Sequence, residues 1–322
     1  QKFFCILHRL YVSLVAVIPN IPENATWKFN ARTVVGGDRR SATFKRLHCP
    51  RGLFVDKNQS VFVADSLNHR IMKFTRSTSV ARTIAGKNIS EYGPDFLCEP
   101  SNVIYDYKSK SFIISDYYNR RVLRWSQKRG TCPETIIRGS GYYGLAMDDE
   151  GFLYVSDTER HEVRRYWSDG RHGKVVAGGN GQGSHRNQLN HPTYIFVGPD
   201  EAVYVSDTWN DRVVKWEKDA TTGVVVAGGH GKGKDGTQLH YPTGLVVDQL
   251  GTVYVADYWN HRVMRWDKDA LRGKMIAGDR FNVGKKANQL NGPEGLAFDQ
   301  SGNLYVADSN NHRIQRFLIQ TV

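Results

Sequence analysis

One pattern recurs six times along this 322-residue chain, and it appears in full as YVADYWNHRVMRW at residues 254–266. Two short runs of alternating apolar and polar residues flank an Asp-x-x-Asn-x-Arg turn, the pattern of two antiparallel strands joined by a tight hydrogen-bonded connection. The turn aspartates fall at Asp65, Asp116, Asp157, Asp207, Asp257 and Asp308, spaced 51, 41, 50, 50 and 51 residues apart. A period of that length is the mark of a repeat architecture, in which each copy is one supersecondary unit that buries its faces against its neighbours.

The fifth copy gives the whole unit. Pro242 and Gly244 lead into a strand at 245–248; a turn at 249–251 follows, then strands at 253–257 and 262–266 and an outer strand ending in glycines. Four antiparallel strands per repeat, six times over, predict an all-β, six-bladed β-propeller. One outer strand is missing after the last copy, which ends at Phe317. One outer-strand sequence, Thr33–Gly37 within WKFNARTVVGG, has no hairpin before it. The two irregularities resolve each other if the N-terminal strand closes the ring against the last blade, hiding edges that would otherwise recruit other chains.

The copies resemble NHL repeats. Pro293-Glu294-Gly295-Leu296, Asp299, Gly302, Tyr305-Val306-Ala307-Asp308, Asn311-His312-Arg313-Ile314 and Phe317 carry the likeness, which extends over about residues 30 to 320. It implies an NHL propeller as a single domain at 27–322, after an N-terminal segment at 1–26. Three blades depart from the pattern. The second has Ser101-Asn102-Val103 where Gly-Leu is usual, and the fourth has Tyr194-Ile195 there and Gly198 for the first aspartate. The third lacks the leading proline, has a shorter connection, and carries Arg160 and Glu162 in place of the turn Asn and Arg. A shorter connection predicts a notch in the rim at this blade.

Composition constrains the partner more than the fold. Residues 1–90 hold fifteen Lys or Arg against Glu23, Asp38, Asp56 and Asp65, which is nearly all of the net charge of +12. Such asymmetry points to an acidic or anionic partner. Its centre is the loop into the first blade, DRRSATFKRLHCPR, with Arg39, Arg40, Lys45, Arg46 and Arg51. A solvated loop is the plain reading of that run. An acidic protein, a glycan, a phospholipid surface or RNA is the functional one.

Tyr117, Tyr118, Trp209, Tyr258 and Trp259 sit beside the turn aspartates and are expected on one face, gripping a partner or covering the seams between blades. The turn Asp and Asn residues read as scaffolding, holding backbone amides. Histidines recur at His69, His161, His261 and His312, one per turn, and at His48, His191 and His240 just before the leading prolines, and three imidazoles converging over a pore could hold zinc. The peptidyl-hydroxyglycine lyase, whose propeller resembles NHL domains, uses an imidazole directly after the leading proline. Here those positions are Arg51, Ser101, Thr193, Thr243 and Glu294, so the resemblance brings no metal site, and neither metal nor cofactor is assigned.

The first 18 residues contain an apolar run, Leu10–Ile18, too short to span a bilayer and of the length of a signal-peptide core. The run reads as a signal or anchor segment, or as a linker, and the choice decides between a secreted and a cytoplasmic protein. Cys5, Cys49, Cys98 and Cys132 form no metal-binding spacing, and a Cys98–Cys132 bridge stays open. No nucleophile elbow or phosphate-cradling loop is present. The reading is therefore a monomeric, non-enzymatic propeller that binds a protein or polyanion. An RNA-binding NHL domain and a metal-dependent lyase or lactonase are the alternatives that the resemblance permits.

Overall fold

A computed structural model describes residues 19–37, 46–75, 80–86, 95–128 and 131–320. Six four-stranded antiparallel sheets follow one another along the chain as the blades of a propeller, and among the described residues the helical structure is confined to short 3₁₀ turns. In the fifth blade the order from inside to outside is Pro242–Val247, Val253–Asp257, Arg262–Trp266 and Lys274–Gly278.

Burial follows the strand positions. The second strands Val203–Asp207 and Val253–Asp257 are buried at every residue, because both faces of a blade are covered by neighbouring blades. The core is accordingly divided among the seams. Tyr204 and Val213 of the fourth blade pack with Leu245, Val253, Val255 and Met264 of the fifth, and Trp266 fills the outer end of that cluster.

The ring closes as the orphan strand requires. Arg32–Gly36 pairs antiparallel with Arg313–Phe317, with Arg32 opposite Arg316 and Gly36 opposite Arg313. At the end of this strand Gly36 has φ +84°, and a Cβ there would stand 2.2 Å from the carbonyl of His312, so only glycine fits. A second pairing, Thr26–Trp27 with Ile319–Gln320, reinforces the closure. Trp27 inserts between Tyr254 and Phe298 and donates its indole N–H to Gly302. Ile21 and Ala25, upstream of the expected boundary at residue 27, belong to the same cluster.

The third blade is irregular in one place. Its inner strand Tyr142–Met147 follows the preceding outer strand Glu134–Arg138 after residues 139–141 alone, whereas residues 179–191 lead into the fourth blade. Cys98 and Cys132 are both free thiols, so the bridge left open by the sequence is not formed. Among the described residues no helix is long and apolar enough to cross a membrane.

Candidate functional site

The Asp-x-x-Asn-x-Arg signature builds the rim before it builds any site. In the fourth blade Asp207 Oδ1 accepts the backbone N–H of Asn190 at 2.6 Å, and Oδ2 accepts Asn210 Nδ2 and Arg212 Nε at 2.8 and 2.7 Å. Arg212 then donates to the carbonyls of Ser184, His185 and Gln188, and Asn210 to that of Gly183. One buried carboxylate thus fixes the long loop that leads into its own blade. Burial pushes the Asp207 carboxyl above its ordinary value, opposed by Asn210, Arg212 and the Asn190 amide. The same contacts recur around Asp65, Asp257 and Asp308.

The exception explains the rule. With no long loop before the third blade there are no loop carbonyls for an arginine to satisfy, and Arg160 and Glu162 stand where Asn and Arg stand elsewhere. Ser140 Oγ donates to Asp157 Oδ1 where a loop amide does so in the other blades, and the turn amides of Glu159 and Arg160 donate to the same oxygen. Glu162 instead pairs with Arg164, and Arg120 of the second blade reaches Glu159 of the third beside the short connection.

The recurring histidines have a separate task. His69, Arg120, His161, Asp211, His261 and His312 occupy the same turn position with φ between 52° and 56°. His69, His161, His261 and His312 each accept at Nδ1 a backbone N–H from the next blade, from Glu99, His191, Gly292 and Cys49 in turn, all at 3.1 Å. Asp211 does the same for Tyr241 at 2.7 Å. These side chains are distributed one to a seam as staples between blades and do not converge over the pore.

What converges on the axis are side chains at and around the leading proline: Arg51 and Glu294 directly after it, Tyr143 at the equivalent place, Glu99 just before it and Tyr194 two residues after it. Arg51 donates to Glu99 Oε2 at 3.1 Å, and its Nε lies 3.9 Å from Glu294 Oε1. Tyr143 and Tyr194 donate their hydroxyls to Glu294 Oε2 at 2.9 and 3.3 Å from two other blades. Burial raises the Glu294 carboxyl above its ordinary range, with Arg51 and the two tyrosines opposing it. Burial also drives the Tyr143 and Tyr194 phenols well above theirs, so both are donors at neutral pH. Burial disfavours the Arg51 charge, but Tyr143, Glu294 and Glu99 outweigh it and raise its pKa. Its Nη1 is buried and makes no hydrogen bond.

Glycine sets how closely the inner strands approach this layer. A Cβ on Gly244 would lie 2.1 Å from the Glu294 carbonyl, and the second and fourth blades place Asn102 and Tyr194 at the corresponding position. Those departures from the repeat were the sequence signal for the axial site. Their meaning could not be read without knowing that the six positions meet.

Above the polar layer opens a funnel of about 340 Å³, walled by Tyr117, Tyr143, His191, Tyr241, Tyr258 and Trp259 with Arg51 and Glu294 at its floor. Tyr118, Trp209 and Trp259 are exposed, while Tyr117 and Tyr258 are half-buried. Trp209 stacks on His191 at 4.5 Å, and Tyr258 meets Trp259 edge-on at 4.9 Å. Of the basic loop, Arg46 is exposed and its carbonyl accepts from Arg70, whereas the Arg51 side chain turns inward to the axial carboxylates. Arg39, Arg40 and Lys45 lie outside the described residues. Below the polar layer a second, apolar cavity of about 130 Å³ runs among Val103, Leu145, Ile195 and Leu296.

A closed ring of six four-stranded blades, with an aromatic funnel over a buried Arg–Glu–Tyr layer, defines a six-bladed β-propeller with an axial site. The profile of the NHL repeat matches residues 239–265 and 290–317, within the fifth and sixth copies. The chain is a six-bladed β-propeller that carries NHL repeats at these two sites. No curated protein matches it significantly. A structural genomics protein of unknown function from Bacteroides thetaiotaomicron shares the fold at TM-score 0.72 and 16% identity, over 92% of this chain and 76% of that one. An auxiliary nutrient binding protein from the same organism does so at TM-score 0.71 and 17% identity, over 92% and 78%. A gluconolactonase from Xanthomonas campestris matches at TM-score 0.65 and 14% identity, over 95% and 97%. At such identities the likeness concerns the fold alone.

Proposed function

We propose that this propeller is a non-enzymatic binding module that presents its loop-rich face to a macromolecular partner, with protein the favoured class. The observation that carries the reading is the set of exposed aromatics, Tyr118, Trp209 and Trp259, around a polar-floored funnel. Tyr, Trp and Arg are the side chains that dominate protein interfaces, and a funnel of this size accepts one projecting side chain or turn of a partner. Exposed Arg46, at the entry to the first blade, and the basic residues Arg39, Arg40 and Lys45 that precede it in the sequence favour an acidic partner segment. The lactonase alternative draws less support, because the axial carboxylates Glu99 and Glu294 already face the Arg51 guanidinium, which competes with any cation for them.

The test has three arms. Cross-linked capture of partners by the wild type is compared with Trp209→Ala/Trp259→Ala, which is expected to lose the specific partner while melting normally. Retention on heparin and on single-stranded RNA is compared at two salt concentrations with a variant carrying Ser at positions 39, 40, 45 and 46. A steep salt dependence flattened by the four substitutions supports a polyanionic partner, and equal retention returns the loop to solvent. Turnover of gluconolactone with added divalent ions would overturn the non-enzymatic reading.

A further inference from the structure

We propose that the seam where the sixth blade meets the first binds one zinc ion through His48, Cys49 and His312. One ligand atom from each of these side chains lies within 4.8 Å of the others. Cys49 Sγ stands 3.8 Å from His312 Nδ1, and the two imidazole rings meet edge to face at 5.3 Å. Tetrahedral zinc holds sulfur and nitrogen ligands at about 2.0–2.3 Å from the ion, which places ligand atoms roughly 3.3–3.8 Å apart. The pair farthest apart must close by at most about 1.5 Å on that same geometry, within reach of a side-chain rotation of half-buried His48.

The backbone that carries the ligands is already fixed. The His48 amide is held by Asp65 Oδ1 at 2.7 Å, and Cys49 is held in the left-handed region at φ 48°. The other seams are built on the same plan with different chemistry. His69 accepts from Glu99, His161 from His191, Asp211 from Tyr241 and His261 from Gly292, and the residues that stand in the sequence where His48 stands are Cys98, Asn190, His240 and Asn291. Among the described residues only the closing seam brings a thiol and two imidazoles together.

Thiolate with imidazole selects zinc over calcium or magnesium, which take oxygen ligands. On coordination Cys49 releases its thiol proton to solvent. An ion bound at His312 Nδ1 takes the lone pair that otherwise accepts the Cys49 amide, exchanging one hydrogen bond for a metal–nitrogen bond. The fourth position is left to water. Because His48 and Cys49 precede the first blade and His312 belongs to the last, the ion would clip the ring beside the strand that closes it.

The experiment uses the full chain stripped of metal and titrated with Co²⁺ alone, then with Zn²⁺ in competition. A sulfur-to-cobalt charge-transfer band saturating at one equivalent is expected, together with a rise in melting temperature on adding zinc. Cys49→Ser should abolish the band and His48→Gln should weaken binding by more than about tenfold, the loss that even an outer-shell change brings. Cys98→Ser, in the neighbouring seam, should leave both unchanged. No band, a band that survives Cys49→Ser, a band lost in Cys98→Ser, or affinity unchanged in His48→Gln would each overturn the site. Should Cys49→Ser fail to fold, His48→Gln decides.

Discussion

At the scale of single residues, the side chains that look most chemical in this chain serve mainly to hold loops and seams. Asp207 is fully buried and Arg212 nearly so, and removing the arginine leaves a buried carboxylate without its counter-charge. Arg212→Ala is expected to lower stability by about 3–5 kcal/mol, read from urea denaturation. Arg160→Ala, whose exposed side chain lies 3.9 Å from Asp157, should change it by under about 0.5 kcal/mol. The seam histidines predict a pH effect. Burial, then the charge of His161, lowers His191 to about 4 from an ordinary 6.5, and burial also lowers His240 and His261. Groups kept neutral in the folded state take up protons more readily when unfolded, so stability is unaffected above about pH 6.5 and falls as pH drops toward 4. Melting temperatures across that window should decline, and the His191→Asn variant should decline less.

At the scale of the element, the third blade shows that loop and signature are one unit. The sequence exposed the missing residues and the Arg160 and Glu162 exchanges as separate irregularities. The structure joins them, because an arginine whose task is to satisfy loop carbonyls has no use where the loop is absent. Inserting residues 180–190 after Gly139 should therefore destabilise the protein, and adding Arg160→Asn with Glu162→Arg should recover at least part of that loss in thermal melts. Recovery absent from the double exchange would separate the two features again.

At the scale of the whole molecule, the ring is held by its ends. Deleting residues 1–37 removes the closing strand Arg32–Gly36, the Thr26–Trp27 pairing and the Trp27 anchor together. Aggregation or a broad, non-cooperative melt is expected, because two sheet edges are then left unpaired. A melt as sharp as that of the full chain would show that the last blade stands on its own.

The sequence by itself determined the architecture, because a fifty-residue period, alternating strands and one displaced outer strand leave few arrangements that bury both faces of every blade. It determined the role of the turn aspartates too, since Asp, Asn and Arg at that spacing are local partners. Only the tertiary structure decided the axial site. Arg51, Glu99, Tyr143, Tyr194 and Glu294 come from five blades and from three different positions around the leading proline, and no local pattern records which side chains will touch across an axis. The same holds for His48, Cys49 and His312, which lie at opposite ends of the repeat array and become neighbours only when the ring closes.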